Sequence, residues 1–213
     1  MKVYTFLTNS HKELFNIFIK HFPFKENIEL VVKWMPQECA SGSFMSQGWN
    51  STMRRKVEYV IQSLNETPEG EWFVHADCDI VLFDGWEKIL DEQSKADLDM
   101  LFQNDYDLLC AGFFFCKSSP ITKSLWNLLR DNLDKFGNDQ IGLNYILQRN
   151  AEVKVGVLPA EYFTYGSFRK GTWKGEDFTI PNAANLKMVH ANYTEGVENK
   201  IKLLNKVLEQ KHV

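Results

Sequence analysis

Trp72-Phe73-Val74-His75-Ala76-Asp77-Cys78-Asp79-Ile80-Val81-Leu82-Phe83 is the stretch that decides how this chain is read. An apolar run enters it, two carboxylates interrupt it, and a second apolar run leaves. Aspartate is a poor strand former, and an ionised carboxylate is costly to bury without a partner. Alternate residues of a strand share a face, so Asp77 and Asp79 can converge on one ligand. A divalent cation taking oxygen donors, Mn²⁺ or Mg²⁺, is the simplest ligand that accounts for the pair. The plainer alternative is a surface turn at a strand end, and Asp-x-Asp alone is weakly specific.

Upstream, residues 3–8 form a short apolar strand that ends in the polar turn Thr8-Asn9-Ser10. Leu14, Phe15, Phe18, Ile19 and Phe22 follow at helical spacing, and Pro23 stops that helix. Residues 28–34 read as a second strand. Strand, helix, strand points to a parallel α/β sheet, in which ligands sit at the carboxyl ends of strands. Thr8, Asn9 and Ser10 are therefore candidate ligand contacts, with plain helix capping as the alternative. Residues 36–50 are rich in Ser, Gly, Gln and Asn and read as a loop. The next helix carries Met53, Val57, Val60 and Leu64 on one face and Arg54, Arg55 and Lys56 around the other. Cations near a helix start oppose its macrodipole, so they do not serve the helix. Either one of them meets a phosphate or a base, or they form a solvated basic face.

Downstream, Asp84-Gly85 makes a turn, and a short helix from Trp86 gives way to a charged stretch over 91–99. Residues 108–116 are a long apolar strand. Gly112 inside it marks close approach of a ligand or another backbone. Pro120 opens a helix. Asn138 caps another over 141–148, with Asp139 suited to its first turn. Residues 153–158 form a strand, 162–168 an aromatic loop that either lines a sugar site or packs, and 169–185 a flexible loop. A last strand over 186–190 precedes a final amphipathic helix with Val197, Ile201, Leu204 and Leu208 inward and Lys200 near its beginning.

The chain has 213 residues, 44% of them hydrophobic and 14% aromatic, which suits one globular domain over 1–213. Net charge −4, with no basic cluster beyond Met53-Arg54-Arg55-Lys56, argues against a nucleic-acid-binding surface. No apolar run approaches a membrane span, and residues 1–8 read as a strand, not a signal peptide. Cys39, Cys78, Cys110 and Cys116 include no Cys-x-x-Cys pair, which argues against zinc and for a reducing, cytoplasmic setting.

The order of these pieces resembles the nucleotide-sugar-dependent glycosyltransferases of the GT-A fold. The resemblance is carried by Asp77-x-Asp79, then Ala111-Gly112-Phe113-Phe114-Phe115, Asp139-Gln140 with Asn144, and Leu158-Pro159 with Phe163-x-Tyr165-Gly166. His190-Ala191-Asn192-Tyr193-x-x-Gly196-x-x-x-Lys200 closes it. It is closest in kind to the retaining, plant-type nucleotide-diphospho-sugar transferases and covers nearly the whole chain, which is also similar to a chlorella-virus glycosyltransferase domain. It implies a Rossmann-like α/β fold with a mostly parallel central sheet flanked by helices. It further implies transfer of a sugar from a nucleoside-diphosphate donor, UDP by analogy, to a glycan or other hydroxyl acceptor.

Position by position, Asp77 and Asp79 match the pair that holds the metal and touches the donor ribose, and His190 completes the metal shell. Lys200 matches the basic residue on the diphosphate, Gly196 lets the backbone approach it, and Thr8, Asn9, Ser10, Arg55 and Gly112 fall along the donor. Asp139 and Gln140 fall where the transferred sugar lies. Retention by a covalent carboxylate and retention by same-face attack on an oxocarbenium ion both stay open, with Asp139 the first candidate for a group near the anomeric carbon. Residues 166–185 are expected to form a lid. Two departures matter. Cys110 stands where a polar residue is usual, and the spacing to Gly196 and Lys200 is stretched. Two rivals are carried forward. One is a haloacid-dehalogenase-type phosphatase, whose Asp-x-Asp nucleophile motif Asp77-Cys78-Asp79-Ile80-Val81 also fits. The other is a sugar-nucleotide-binding domain without turnover.

Overall fold

Residues 3–7 are all buried and only Thr5 among them is polar, as suits a strand covered on both faces. They lie in β1 (Lys2–Leu7), which pairs in parallel with β2 (Glu29–Trp34) on one side and β3 (Trp72–Ala76) on the other. The computed structural model describes residues 1–40, 46–93 and 96–211. The loop expected over 36–50 and the charged stretch over 91–99 lie partly outside the described residues. Helix α1 (Lys12–His21) connects β1 to β2, and α2 (Trp49–Glu66) leads into β3.

Beyond β3 come β4 (Ile80–Leu82), α3 (Ile89–Gln93), β5 (Met100–Asp105) and β6 (Leu108–Lys117). They are followed by α4 (Pro120–Phe136), α5 (Asp139–Leu147), β7 (Val155–Val157), β8 (Tyr162–Thr164) and α6 (Tyr165–Arg169). The chain ends with β9 (Met188–His190) and α7 (Val197–Lys211). The main sheet has the order β2-β1-β3-β6-β5-β7, and only β6 runs against its neighbours. A second sheet has the order β4-β9-β8. This is the mostly parallel α/β architecture expected from the opening strand, helix and strand.

The alternation along β6 divides the core. Phe114 faces α2, α4 and α5, where it stacks on Trp126 at 5.1 Å and on His75 at 5.2 Å. Phe113 and Phe115 face the other way, onto Trp86, Val74 and Phe18. A third cluster joins α7, through Leu203, Leu204 and Val207, to Phe163, Trp173, Phe178 and Ile180.

Four expectations are corrected here. The run over 72–83 is not one strand but two, β3 and β4, which belong to different sheets with Asp77 and Asp79 at the join. Strand β5 was not read from the sequence. It ends in Gln103, Asn104 and Asp105, residues of low strand preference that tertiary pairing overrides. The aromatic segment over 162–168 is β8 and α6, and Tyr162, Phe163 and Tyr165 are buried, so those rings pack. The segment over 169–185, read as flexible and as a lid, is anchored. Trp173, Phe178 and Ile180 are buried, and Ile180 and Phe178 both bond to Gln210 of α7.

Candidate functional site

The change of sheet fixes where the two aspartates sit. Pairing of β3 with β6 ends at Ala76 opposite Phe113, and the next amide, Asp77 N–H, donates to the Gly112 carbonyl at 2.8 Å. The chain then bends. The Asp79 carbonyl accepts from Ala191 N–H at 3.0 Å, and Ile80 enters the second sheet opposite His190. Asp77, Asp79 and His190 each offer a ligand atom, and these atoms lie within 4.8 Å of one another. The convergence read from strand alternation therefore arises at a bend between two strands.

Cationic groups surround the carboxylates. Lys56 Nζ lies 2.9 Å from Asp77 Oδ2 and 3.2 Å from Asp139 Oδ2. Lys200 Nζ lies 2.5 Å from Asp79 Oδ2, and His190 Nε2 lies 3.3 Å from Asp79 Oδ1. His75 Nε2 stands 3.1 Å from Asp77 Oδ1. Asp77 and Lys200 keep 25% and 23% of their side chains exposed, against 7% or less for Lys56, Asp79, Asp139 and His190, so they are the members that solvent reaches.

The charge states follow from these contacts. Burial would raise the Asp77 carboxyl, but Lys56 and the His75 hydrogen bond outweigh it and hold it down at about 2. Burial likewise opposes ionisation of Asp79, and Lys200 and His190 hold it well below the usual carboxylate range. Burial would lower His190, but Asp79 pushes it up to about 10. Burial depresses His75, more strongly than its bond to Asp77 raises it, which leaves it neutral and donating from Nε2.

Gly112 is required by these side chains. A Cβ there would stand 2.5 Å from His190 Cε1 and 2.8 Å from Asp77 Oδ2, closer than real contacts allow. The close approach expected at this glycine is thus made by the site's own side chains.

Beside it, β5 and β6 part, and the backbone groups freed by the parting find side-chain partners. Ala111 N–H donates to Gln140 Oε1 at 3.1 Å. Leu109 N–H and C=O both bond to the Asn144 amide, at 2.9 and 2.8 Å. Gln140 Nε2 donates to Asp105 Oδ2 at 2.6 Å, and Asp105 Oδ1 accepts from Asn192 at 2.6 Å. Burial raises the Asp105 carboxyl, partly countered by the Gln140 bond.

The sequence-derived residues fall into three groups. Asp77, Asp79, Asp139, His190 and Lys200 come together, and the stretched spacing does not keep Lys200 away. Gly196 has φ +78°, and among the described residues no atom lies within 4 Å of the place its Cβ would take, so the approach to α7 is open there. Thr8, Asn9 and Ser10 lie at the carboxyl end of β1, where Thr8 and Ser10 bond to His11 Nδ1 and Ser10 N–H donates to Gln37. His11 belongs to the same neighbourhood, since burial and then Lys200 lower its imidazole.

Arg55 and Gln140 are not brought to the carboxylates. The Arg55 guanidinium is tied to Glu38 at 2.6 Å, and it is the next residue, Lys56, that meets Asp77 and Asp139. Both polar ends of Gln140 are held by scaffold. His75, Gln103 and Asp105 were not singled out. The signal for His75 was present, because a histidine two residues before Asp77 on a buried strand has few polar partners within reach.

The donor set suits a hard divalent cation. Two carboxylates and one imidazole fit Mn²⁺ well and Mg²⁺ less well. The absence of a Cβ at Gly112 preserves their convergence. Binding would require His190 neutral at Nε2, so a proton must leave as metal enters.

The family profile of the nucleotide-diphospho-sugar transferases matches residues 25–204. No curated protein matches the chain by sequence. Three solved structures share its fold. A glycosyltransferase involved in the glycosylation of the major capsid of PBCV-1, a chlorella virus, aligns with a TM-score of 0.63 at 12% identity, over 96% of this chain and 98% of that one. Mouse xyloside xylosyltransferase 1 gives 0.53 at 10% identity, over 90% and 98%. The galactosyltransferase LgtC, in complex with donor and acceptor sugar analogs, gives 0.51 at 11% identity, over 89% and 86%. The fold is therefore the expected GT-A type.

Two outcomes are expected from the geometry. Gly112→Ala forces His190 or Asp77 aside and should weaken Mn²⁺ binding by about tenfold or more, with little change in the far-ultraviolet circular dichroism spectrum. A parent-like Mn²⁺ affinity would contradict the packing argument. Lys56→Met leaves the buried Asp139 and the partly exposed Asp77 without their shared cation and should lower unfolding stability by about 2–4 kcal/mol in urea. Adding Asp139→Asn should restore part of that loss, because the two sites share one interaction.

Proposed function

The chain belongs to the nucleotide-diphospho-sugar transferase family, and from that premise we propose that it is a metal-dependent glycosyltransferase. It moves a sugar from a nucleoside-diphosphate donor, UDP in the first instance, to a hydroxyl of a glycan acceptor. The observation that carries the reading is the convergence of Asp77, Asp79 and His190 with Lys200 at its open edge. We propose retention of configuration on the resemblance to retaining transferases. The four cysteines are buried and form no disulfide with one another, which supports a reducing, cytoplasmic setting, and among the described residues no helix is long and apolar enough to cross a membrane.

The reaction breaks the bond between the anomeric carbon and the diphosphate and forms one to the acceptor oxygen, whose proton departs. Negative charge accumulates on the leaving diphosphate. A divalent cation held by Asp77, Asp79 and His190 would supply Lewis-acid stabilisation of that charge. Lys200, partly exposed beside Asp79, adds an ammonium that can turn from the carboxylate to a phosphate oxygen. Lys56 holds Asp77 ionised and fixes the direction of both Asp77 and Asp139. Asp139 then presents a carboxylate toward the place assigned to the transferred sugar, where positive charge develops at the anomeric carbon. Gln140 acts there by holding the β6 backbone at Ala111.

The phosphatase rival needs an aspartate oxygen free to attack phosphorus. Both oxygens of Asp77 are engaged, by Lys56 and His75, and the family match takes in the whole of the Asp-x-Asp segment. The reading without turnover is separated by experiment.

Asp77, Asp79 and Asp139 carry three negative charges, and Lys56, Lys200 and His190 carry three positive ones. Metal entry with loss of the His190 proton leaves that set one formal charge positive, and a diphosphate brings the negative charge that answers it. Mn²⁺ and UDP should therefore bind cooperatively. Titration calorimetry is expected to show Mn²⁺ affinity rising by at least about tenfold in saturating UDP, and UDP affinity rising by the same factor in Mn²⁺. A panel of UDP-sugars incubated with Mn²⁺ and glycan acceptors should yield free UDP and a glycosylated product by mass spectrometry, abolished by chelator. UDP-sugar binding without product in any pairing would favour a binding domain, and no binding with any metal would overturn the reading.

A further inference from the structure

Strands β5 and β6 pair at Phe102 with Phe114 and next at Asn104 with Leu109. One residue of β5, Gln103, therefore lies opposite four of β6, residues 110–113. Irregularities of this kind re-aim a side chain and recur next to active sites. Gln103 has no exposed surface, so both ends of its amide need partners inside the protein.

The partners settle its orientation. Its Nε2 donates to the carbonyls of Tyr162 and Phe163, at 3.2 and 3.1 Å. Carbonyls only accept, so the nitrogen belongs on that side and Oε1 faces His190 Nδ1 at 2.9 Å. An amide oxygen also only accepts, so Nδ1 carries a hydrogen. The other neighbour of Nδ1 is the Cys110 thiol at 3.6 Å, a weak partner. His190 Nε2 is thereby the nitrogen turned toward Asp79.

From this we infer that Gln103 is a positioning residue for the metal centre. It fixes the ring plane and tautomer of His190, so that the Nε2 lone pair of the neutral ring joins Asp77 and Asp79 on a divalent cation. The inference rests on the metal-dependent reading above. Gln103 touches no other member of the cluster and acts through His190 alone. The same amide ties β8 to β5, and Thr164 of β8 lies opposite His190 in β9. A purely structural role must therefore be told apart from positioning.

Two variants do so. Gln103→Glu keeps an acceptor for Nδ1–H and loses the donor to both carbonyls. Gln103→Met keeps the size and loses both functions. Mn²⁺ affinity would be read by electron paramagnetic resonance in saturating UDP. Gln103→Glu is expected to bind within a few-fold of the parent, and Gln103→Met 10- to 100-fold more weakly, the range typical for partners of metal ligands.

Equal weakening of both variants would mean a structural role only and would overturn the inference, as would parent-like binding by Gln103→Met. A parent protein that binds no Mn²⁺ would instead overturn the transferase reading, and this inference with it. A measurement on the unaltered chain guards against variants that fail to fold. In ¹⁵N spectra of the Mg²⁺- and UDP-loaded protein, His190 should carry its hydrogen on Nδ1. A hydrogen on Nε2 would overturn the assignment.

Discussion

Two aspartates held at a break between buried strands need countercharge, and the placement of that countercharge governs the rest of this structure. Isolated carboxylates in such surroundings cost several kcal/mol each, on the order of what a whole domain has to spare. Here each is answered from a different element. Lys56 comes from α2, His190 from β9 and Lys200 from α7, while Asp139 of α5 shares Lys56. Helices from separate parts of the chain are thus tied to one point by charge. The balance is also what makes the site responsive, since a dication entering with loss of the His190 proton leaves the cluster one charge positive, which a diphosphate then answers.

The backbone serves the same end. The main sheet gives up pairing between β5 and β6 at the residues that need to approach the aspartates. Gly112 survives without a Cβ, Ala111 and Leu109 turn to amide side chains, and Gln103 reaches His190 across the gap. The strand that leaves the aspartates enters a second sheet, which delivers His190 beside Asp79. The irregularities of this fold therefore gather at its chemistry, as is expected where local rules yield to function.

Much of this was legible in the residues. The parallel sheet followed from the opening strand, helix and strand. The resemblance carried by the order of motifs implied that His190 joins the aspartates and that Lys200 serves the same site, and both lie beside Asp79. What stayed hidden had physical causes. Strand β5 ends in polar residues, of which Gln103 bonds to His190 and Asp105 to Gln140 and Asn192, so polar side chains stand where a strand is usually apolar. The basic run Arg54-Arg55-Lys56 left a phosphate contact and a solvated face both open, and which of three adjacent residues faces inward depends on a helix phase that begins at Trp49. The aromatic segment over 162–168 has the composition of a sugar-binding surface, and only packing against Phe178 and Phe168 shows that Phe163 is interior. Gln140 carried a family role in its position, while its two hydrogen bonds to scaffold exist only in three dimensions.

The central claim is that Asp77, Asp79 and His190 form one metal centre that works with a nucleoside diphosphate. Anomalous diffraction at the manganese edge, from crystals grown with Mn²⁺ and UDP, tests it most directly. The account predicts a single strong peak bonded to all three side chains and to the diphosphate, with Lys200 turned from Asp79 toward a phosphate oxygen. A peak elsewhere, or UDP bound with Lys200 still on Asp79 and no peak at the cluster, would contradict it.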